Sequence, residues 1–348
     1  MSNFNNSYCE SSVDSPSFMI IGLVADAASL GLHWIYDQDA LLTALNTKGV
    51  LAQPEFFPPM NKYYTHEDGE FTPYGHELYA VLKSLAEQGG HVDGKALAKD
   101  IASYYKSQVT SNHYLNKSSK AVLENVAAGK AFPDTALAAD AQVGWLLILS
   151  TDQGTLGTKM SHTGSFQTQA NSFVKAPAVV ALKAGKSDLA SSLKTAITVQ
   201  QSDEAAVSAG VVAGLILDKV IQGDSIQAAV TWALSDDSGV SPTSKEDLRV
   251  AISHSGAAFS EVAKRLGLSC GLPSSLQCSI LSAMDAPSYV EGVRANIVAG
   301  GDSASRNVLV GALLAAQHGL DSVPQGWKNR AKHYAEAESL VDKLLASR

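Results

Sequence analysis

The feature that most limits the folds open to this chain is its rhythm. From Ser17 onward, long segments rich in Ala, Leu and Val alternate with short breaks of Gly, Pro, Ser or Asn. Apolar residues recur at the helical period, and β-branched runs of strand length are scarce. The pattern predicts an all-α protein, a multi-helix orthogonal bundle. Helices are expected at Ser17 to His33, Tyr74 to Gln88, Gly94 to Gln108, Ser118 to Ala128, Ala139 to Ser150, Gln169 to Ala184, Asp203 to Ile221, Ile226 to Leu234, Lys245 to Leu266, Ser288 to Val298, Ser303 to His318 and Asn329 to Ala346. No fixed-period repeat or composition break divides the chain, so residues 17–348 read as a single compact domain and the Ser- and Asn-rich residues 1–16 as a mobile tail. Asp37 to Pro73, with Phe56, Phe57, Pro58, Pro59, Tyr63 and Tyr64 but no helical period, reads as a long ordered loop bordering a site.

Charge and cysteine content exclude several function classes. Lys+Arg total 26 against 34 Asp+Glu, a net charge of −8 with no basic run, so nucleic acid is a poor partner. The longest apolar stretch, Val207 to Leu217, is too short to span a bilayer, which argues against a membrane role. The N-terminus lacks the basic and apolar regions of a signal peptide, and three cysteines, Cys9, Cys270 and Cys278, make no disulfide framework. A cytoplasmic, reducing location is the expectation. The string Gly185-Lys186-Ser187 lacks the upstream glycine of a phosphate loop, since Val180 stands there. No HExxH, CxxC or GxSxG pattern occurs.

Two carboxylates stand out. Asp26 lies inside Phe18 to Trp34, apolar on nearly every face, where an unpartnered charge would cost several kcal/mol. Donors must converge on it. Asp302 follows Gly300 and Gly301 and precedes the apolar run Asn307 to Ala316, the place of a helix N-cap whose side chain accepts from first-turn N–H groups. Such a terminus also favours an anion.

These two segments resemble the ADP-ribosylglycohydrolase family, which has an early Gly-Asp-Ala-x-Gly helix and a late Gly-Gly-Asp-x-Asp-Thr/Ser helix start, then Ile-Pro and Trp. Here the early block reads Ala25-Asp26-Ala27-Ala28-Ser29, and the late one Gly300-Gly301-Asp302-Ser303-Ala304-Ser305, followed by Val323-Pro324 and Trp327. Within that family, Asp26 to Asp37 and Gly300 to Arg306 are similar to strings of the jellyfish lens J-crystallins and a related fish selenoprotein.

The resemblance implies a two-Mg²⁺ site between a Thr-Asp-Asp cluster and the late Asp-x-Asp-Thr/Ser cluster. The first cluster falls on Thr72-Pro73-Tyr74, without carboxylates, and Ala304 replaces an aspartate in the second. Thr72, Asp302 and Ser305 are remnants. The family's water-orienting glutamate falls at His33 or its neighbours, and Arg306 is expected to pair with Asp302 or Asp26 in place of metal charge. Likeness to the lens proteins, with these departures, implies a structural lens crystallin with no cofactor, weak or absent Mg²⁺ binding and no efficient ADP-ribosyl hydrolysis, associating at most with itself at high concentration. The alternative is a metal-independent hydrolase, or a protein binding an ADP-ribose-like small molecule, with Asp26, His33, Tyr74, His76, Asp302, Ser305 and Arg306 around the cleft.

Overall fold

Residues 17–61, 67–110, 113–136 and 168–346 are described by a computed structural model. Among them sixteen α-helices form: α1 (Ser17–Ser29), α2 (Gln38–Thr47), α3 (Pro73–Glu87), α4 (Gly94–Thr110), α5 (Lys117–Ala127), α6 (Ala176–Lys183), α7 (Leu189–Thr198), α8 (Glu204–Ile221), α9 (Ile226–Leu234), α10 (Pro242–Ile252), α11 (Phe259–Leu266), α12 (Ser274–Asp285), α13 (Tyr289–Ala299), α14 (Ser303–His318), α15 (Gln325–Arg330) and α16 (Tyr334–Ala346). The architecture is all-α. The described residues hold no strand, only two isolated antiparallel bridges, Ile35 with Gly301 and Gln169 with Gly271.

The centre of the fold is the pair α1 and α14, both buried along nearly their whole length. Their crossing is set by small residues. A Cβ on Gly22 would lie 2.7 Å from the Val308 carbonyl oxygen, and one on Gly311 2.6 Å from the Ala25 Cβ, so the two backbones pack in direct contact. Around this pair, α14 packs on α8, α12 and α13, while α1 packs on α3, α6 and α16. The N-termini of α3 and α14 thereby converge on the C-terminal end of α1, and the site is built there.

Several expected boundaries are corrected. Asp37 to Pro73 is not wholly loop: the Asp37 side chain accepts from Ala40 N at 3.0 Å and starts α2, which buries only Leu41 and Leu45. The helix expected over Lys245 to Leu266 is two helices, because residues 253–258 turn through Gly256 at φ +79°, where Asp285 accepts from Ser255 Oγ and Gly256 N. The helix expected from Asn329 is broken between α15 and α16, and 3₁₀ turns at Leu30–Leu32 and Ala170–Lys175 stand where α-helix is expected. The structure adds α7 and α12. The expected Ala139 to Ser150 helix and the tail of residues 1–16 lie outside the described residues.

Candidate functional site

Asp26 is fully buried on α1, and its carboxylate closes the N-terminus of α3. It accepts from Thr72 N at 2.8 Å and from Thr72 Oγ1 at 2.5 Å, while Thr72 Oγ1 caps α3 by accepting from Tyr74 N. Gly75 makes this possible, since a Cβ there would lie 2.1 Å from Asp26 Oδ2. Burial raises the Asp26 pKa to about 7, against the lowering effect of the Thr72 and Gly75 hydrogen bonds.

Asp302, also fully buried, begins α14, but its side chain makes no capping bond to that helix, contrary to the N-cap expectation. The reason is competition from other donors. Trp34 Nε1 donates to Oδ1 at 2.8 Å, Ser305 Oγ donates to Oδ2, and the Tyr74 hydroxyl lies in hydrogen-bond contact with both Asp302 and the Cys270 thiol. Burial raises the Asp302 pKa, opposed by Ser305, the Arg306 charge, Trp34 and Tyr74. The same burial lifts Tyr74 well above its usual range and Cys270 to about 12, keeping both neutral.

The helix cap falls to His33. Its Nδ1 accepts from Ala304 N at 3.2 Å, which assigns the ring proton to Nε2, 3.3 Å from Asp302 Oδ1. Burial, then the Arg306 charge, holds the His33 pKa well below its usual value, so the ring is neutral. Trp34 adopts φ +64°, with its backbone N–H on Gly301 O at 2.8 Å, a left-handed conformation that aims the indole at Asp302.

Two further expectations are corrected. Arg306 pairs with neither Asp26 nor Asp302: among the described residues its guanidinium forms no ion pair and instead donates to Asn296 Oδ1 at 2.9 Å and Gly300 O at 2.6 Å. It ties the α13–α14 turn together. His76, one turn into α3, faces away from Asp302. Its Nδ1 meets Tyr104 Oη at 2.7 Å, and its ring packs on Phe71 and His113.

Sequence reasoning missed Trp34 as a partner of Asp302 and Cys270 as a partner of Tyr74, and it missed a buried ion pair. Lys175 Nζ lies 3.1 Å from Glu77 Oε2, and Glu77 Oε1 accepts from Asn116, Asn171 and Ser119. The available signal was the one used for Asp26, a charge within an apolar run.

Residues 18–348 match the sequence model of the ADP-ribosylglycohydrolase family. The chain belongs to this family. Crystallin J1A and Crystallin J1B of Tripedalia cystophora are each 26% identical to it, over 336 and 338 residues, covering 95% of this chain and 96% of either relative. A solved ADP-ribosylglycohydrolase-related protein complex aligns with TM-score 0.63 at 14% identity, over 96% of this chain and 98% of that one, a likeness of fold. No helix among the described residues is long and apolar enough to cross a membrane. Within this ADP-ribosylglycohydrolase fold, then, the three chain segments carrying Asp26, Thr72 and Asp302 meet through neutral N–H and O–H donors on buried carboxylates.

Proposed function

We propose that this family member is a structural protein of the crystallin type, without ADP-ribosyl hydrolase activity, acting in the cytoplasm of lens cells at high concentration. The observation that carries the reading is the surroundings of the Asp302 carboxylate. Mg²⁺ calls for a near-octahedral set of oxygens bearing anionic charge. The groups meeting Asp302 are instead hydrogen-bond donors: Trp34 Nε1–H, Ser305 Oγ–H and Tyr74 Oη–H, with His33 Nε2 beside them. Thr72 Oγ1 is committed to Asp26 and Tyr74 N, and the described residues hold no group of three His, Cys, Asp or Glu side chains able to share an ion. These residues do not fit the family's metal. Likeness to two crystallins along nearly their full lengths supports the structural role, and a net charge of −8 suits a crowded solution.

A second reading, a binding protein for an ADP-ribose-like molecule, draws on one feature. The Trp34 ring stands edge-on to Tyr114 at 5.3 Å, with Lys120 Nζ 5.9 Å over Tyr114, an aromatic and cationic wall suited to a purine and its phosphates.

Titration calorimetry with MgCl₂, alongside turnover of an ADP-ribosylated peptide, tests the first reading. We expect no saturable heat at micromolar Mg²⁺ and product only at the background rate. Micromolar affinity together with turnover overturns it. A thermal-shift series with ADP-ribose, adenosine and arginine separates the readings, since a ligand at a hundred times its Kd stabilises by about 2.7 kcal/mol.

A further inference from the structure

Residues 67–72 lead from solvent into the site. Glu67 and Asp68 are exposed, whereas Phe71 and Thr72 are fully buried, and Thr72 N donates to Asp26. Opposite this stretch runs the connection between α15 and α16. It meets nearly every residue of it: Arg330 Nη2 donates to Asp68 Oδ2 at 2.5 Å and to Phe56 O at 3.0 Å, Lys332 Nζ pairs with Glu67, and Lys332 N donates to Gly69 O at 2.9 Å. His333 Nε2 lies 2.6 Å from Glu70 Oε1, which also accepts from Phe71 N, and the His333 ring packs on Phe71 at 5.1 Å. Glu336, 3.2 Å from His333 Nδ1, completes the charged groups facing that ring.

We propose that residues 330–333 are an electrostatic strap holding the Glu67–Thr72 stretch, so that screening or reversing its charges frees Thr72 from Asp26 while the helical core stays folded. Exposed ion pairs act weakly one at a time. Here two of them, Arg330–Asp68 and Lys332–Glu67, with the His333–Glu70 contact and a backbone hydrogen bond, fix the same few backbone angles, so their effects reinforce one another at a single opening event. The core does not share this dependence, because α1 against α14 is held by apolar contact that salt screens little. Local openings of this kind set amide exchange rates independently of global unfolding.

The test is residue-resolved hydrogen exchange on the full chain, following the Thr72 amide against the amides of α8. In the natural protein, raising NaCl from about 0.02 to about 0.5 M should speed Thr72 exchange several-fold and leave α8 unchanged. In Lys332→Glu, which sets a carboxylate against Glu67, Asp68 and Glu70, Thr72 should exchange about fivefold faster, a loss on the order of one surface pair. Adding Glu67→Lys should restore the rate to within about twofold. The proposal fails if Thr72 exchange is indifferent to salt, if it speeds only together with α8, or if the charge swap does not restore it. Should the single variant not fold, the salt series on the natural chain decides.

Discussion

Replacing Lys175 with Met should destabilise the protein by about 3–4 kcal/mol at pH 7, and the amount depends on where the charge is left. The pair is 0% and 1% exposed, with 3.1 Å between Lys175 Nζ and Glu77 Oε2. Deleting one member strands the other's charge away from water, a change that typically costs about 3–5 kcal/mol. Remaining partners limit the penalty. A stranded Glu77 keeps the Asn116, Asn171 and Ser119 donors to Oε1, which hold the cost toward the lower part of that range. In Glu77→Gln the stranded group is Lys175, already lowered in pKa by burial and supported by Glu77. Losing its proton at pH 7 sets a ceiling of about 5 kcal/mol.

Glu77→Gln carries a pH signature. In Glu77→Gln the folded Lys175 pKa lies below its unfolded value, so stability recovers as pH rises toward about 10. Urea unfolding followed by far-ultraviolet circular dichroism measures both variants, provided the slope of free energy on denaturant is unchanged. The double variant should cost less than the sum of the singles. A Lys175→Met penalty below about 1 kcal/mol refutes the reasoning, because it would mean that the buried pair contributes nothing beyond its packing.

Gly75→Ala places a Cβ 2.1 Å from Asp26 Oδ2, so Asp26 must leave Thr72; a loss of about 1–3 kcal/mol in urea unfolding is expected, and no loss would show that the contact is not needed. His333 is raised above its usual value of 6.5, first by its hydrogen bond to Glu70, itself pulled down to about 2. Its contribution is complete below pH 6.5 and disappears as pH rises through the folded value, so His333→Gln should flatten the fall in urea midpoint above neutrality. An unchanged slope would place the titrating group elsewhere.

Helices with continuous apolar faces were legible in the sequence: α9 at Ile226–Leu234 and α14 at Ser303–His318 stand where the period places them. Those missed are rich in Ser and Thr or shallowly buried. In α12 the apolar positions Leu276, Ile280 and Ala283 keep helical spacing, but the serines among them read as loop, although Ser279 Oγ bonds back to Ser275 O at 2.8 Å within the helix. Of the site, what a single segment dictates was visible, such as the buried carboxylate at Asp26. Which donors meet Asp302 was not, because Trp34 and Tyr74 arrive from segments far from it along the chain and only the α1–α14 crossing brings them together.

That geometry also accounts for how two fully buried carboxylates, Asp26 and Asp302, are accommodated. A buried carboxylate without partners is a liability of several kcal/mol. Each of these two is met by donors from another segment. Asp26 ties α1 to α3 through Thr72 N and Oγ1, and Asp302 joins the Trp34 loop to the first turn of α14 through Trp34 Nε1 and Ser305. Replacing either by an apolar residue would leave buried donors unpaired, at about 1–3 kcal/mol for each group. Ala304 makes no such tie: its backbone N–H is met by His33 Nδ1, and its side chain sits in the apolar core. Asp26 and Asp302 are thus each held by the segments they join, whereas the Ala304 side chain joins nothing and only fills the core.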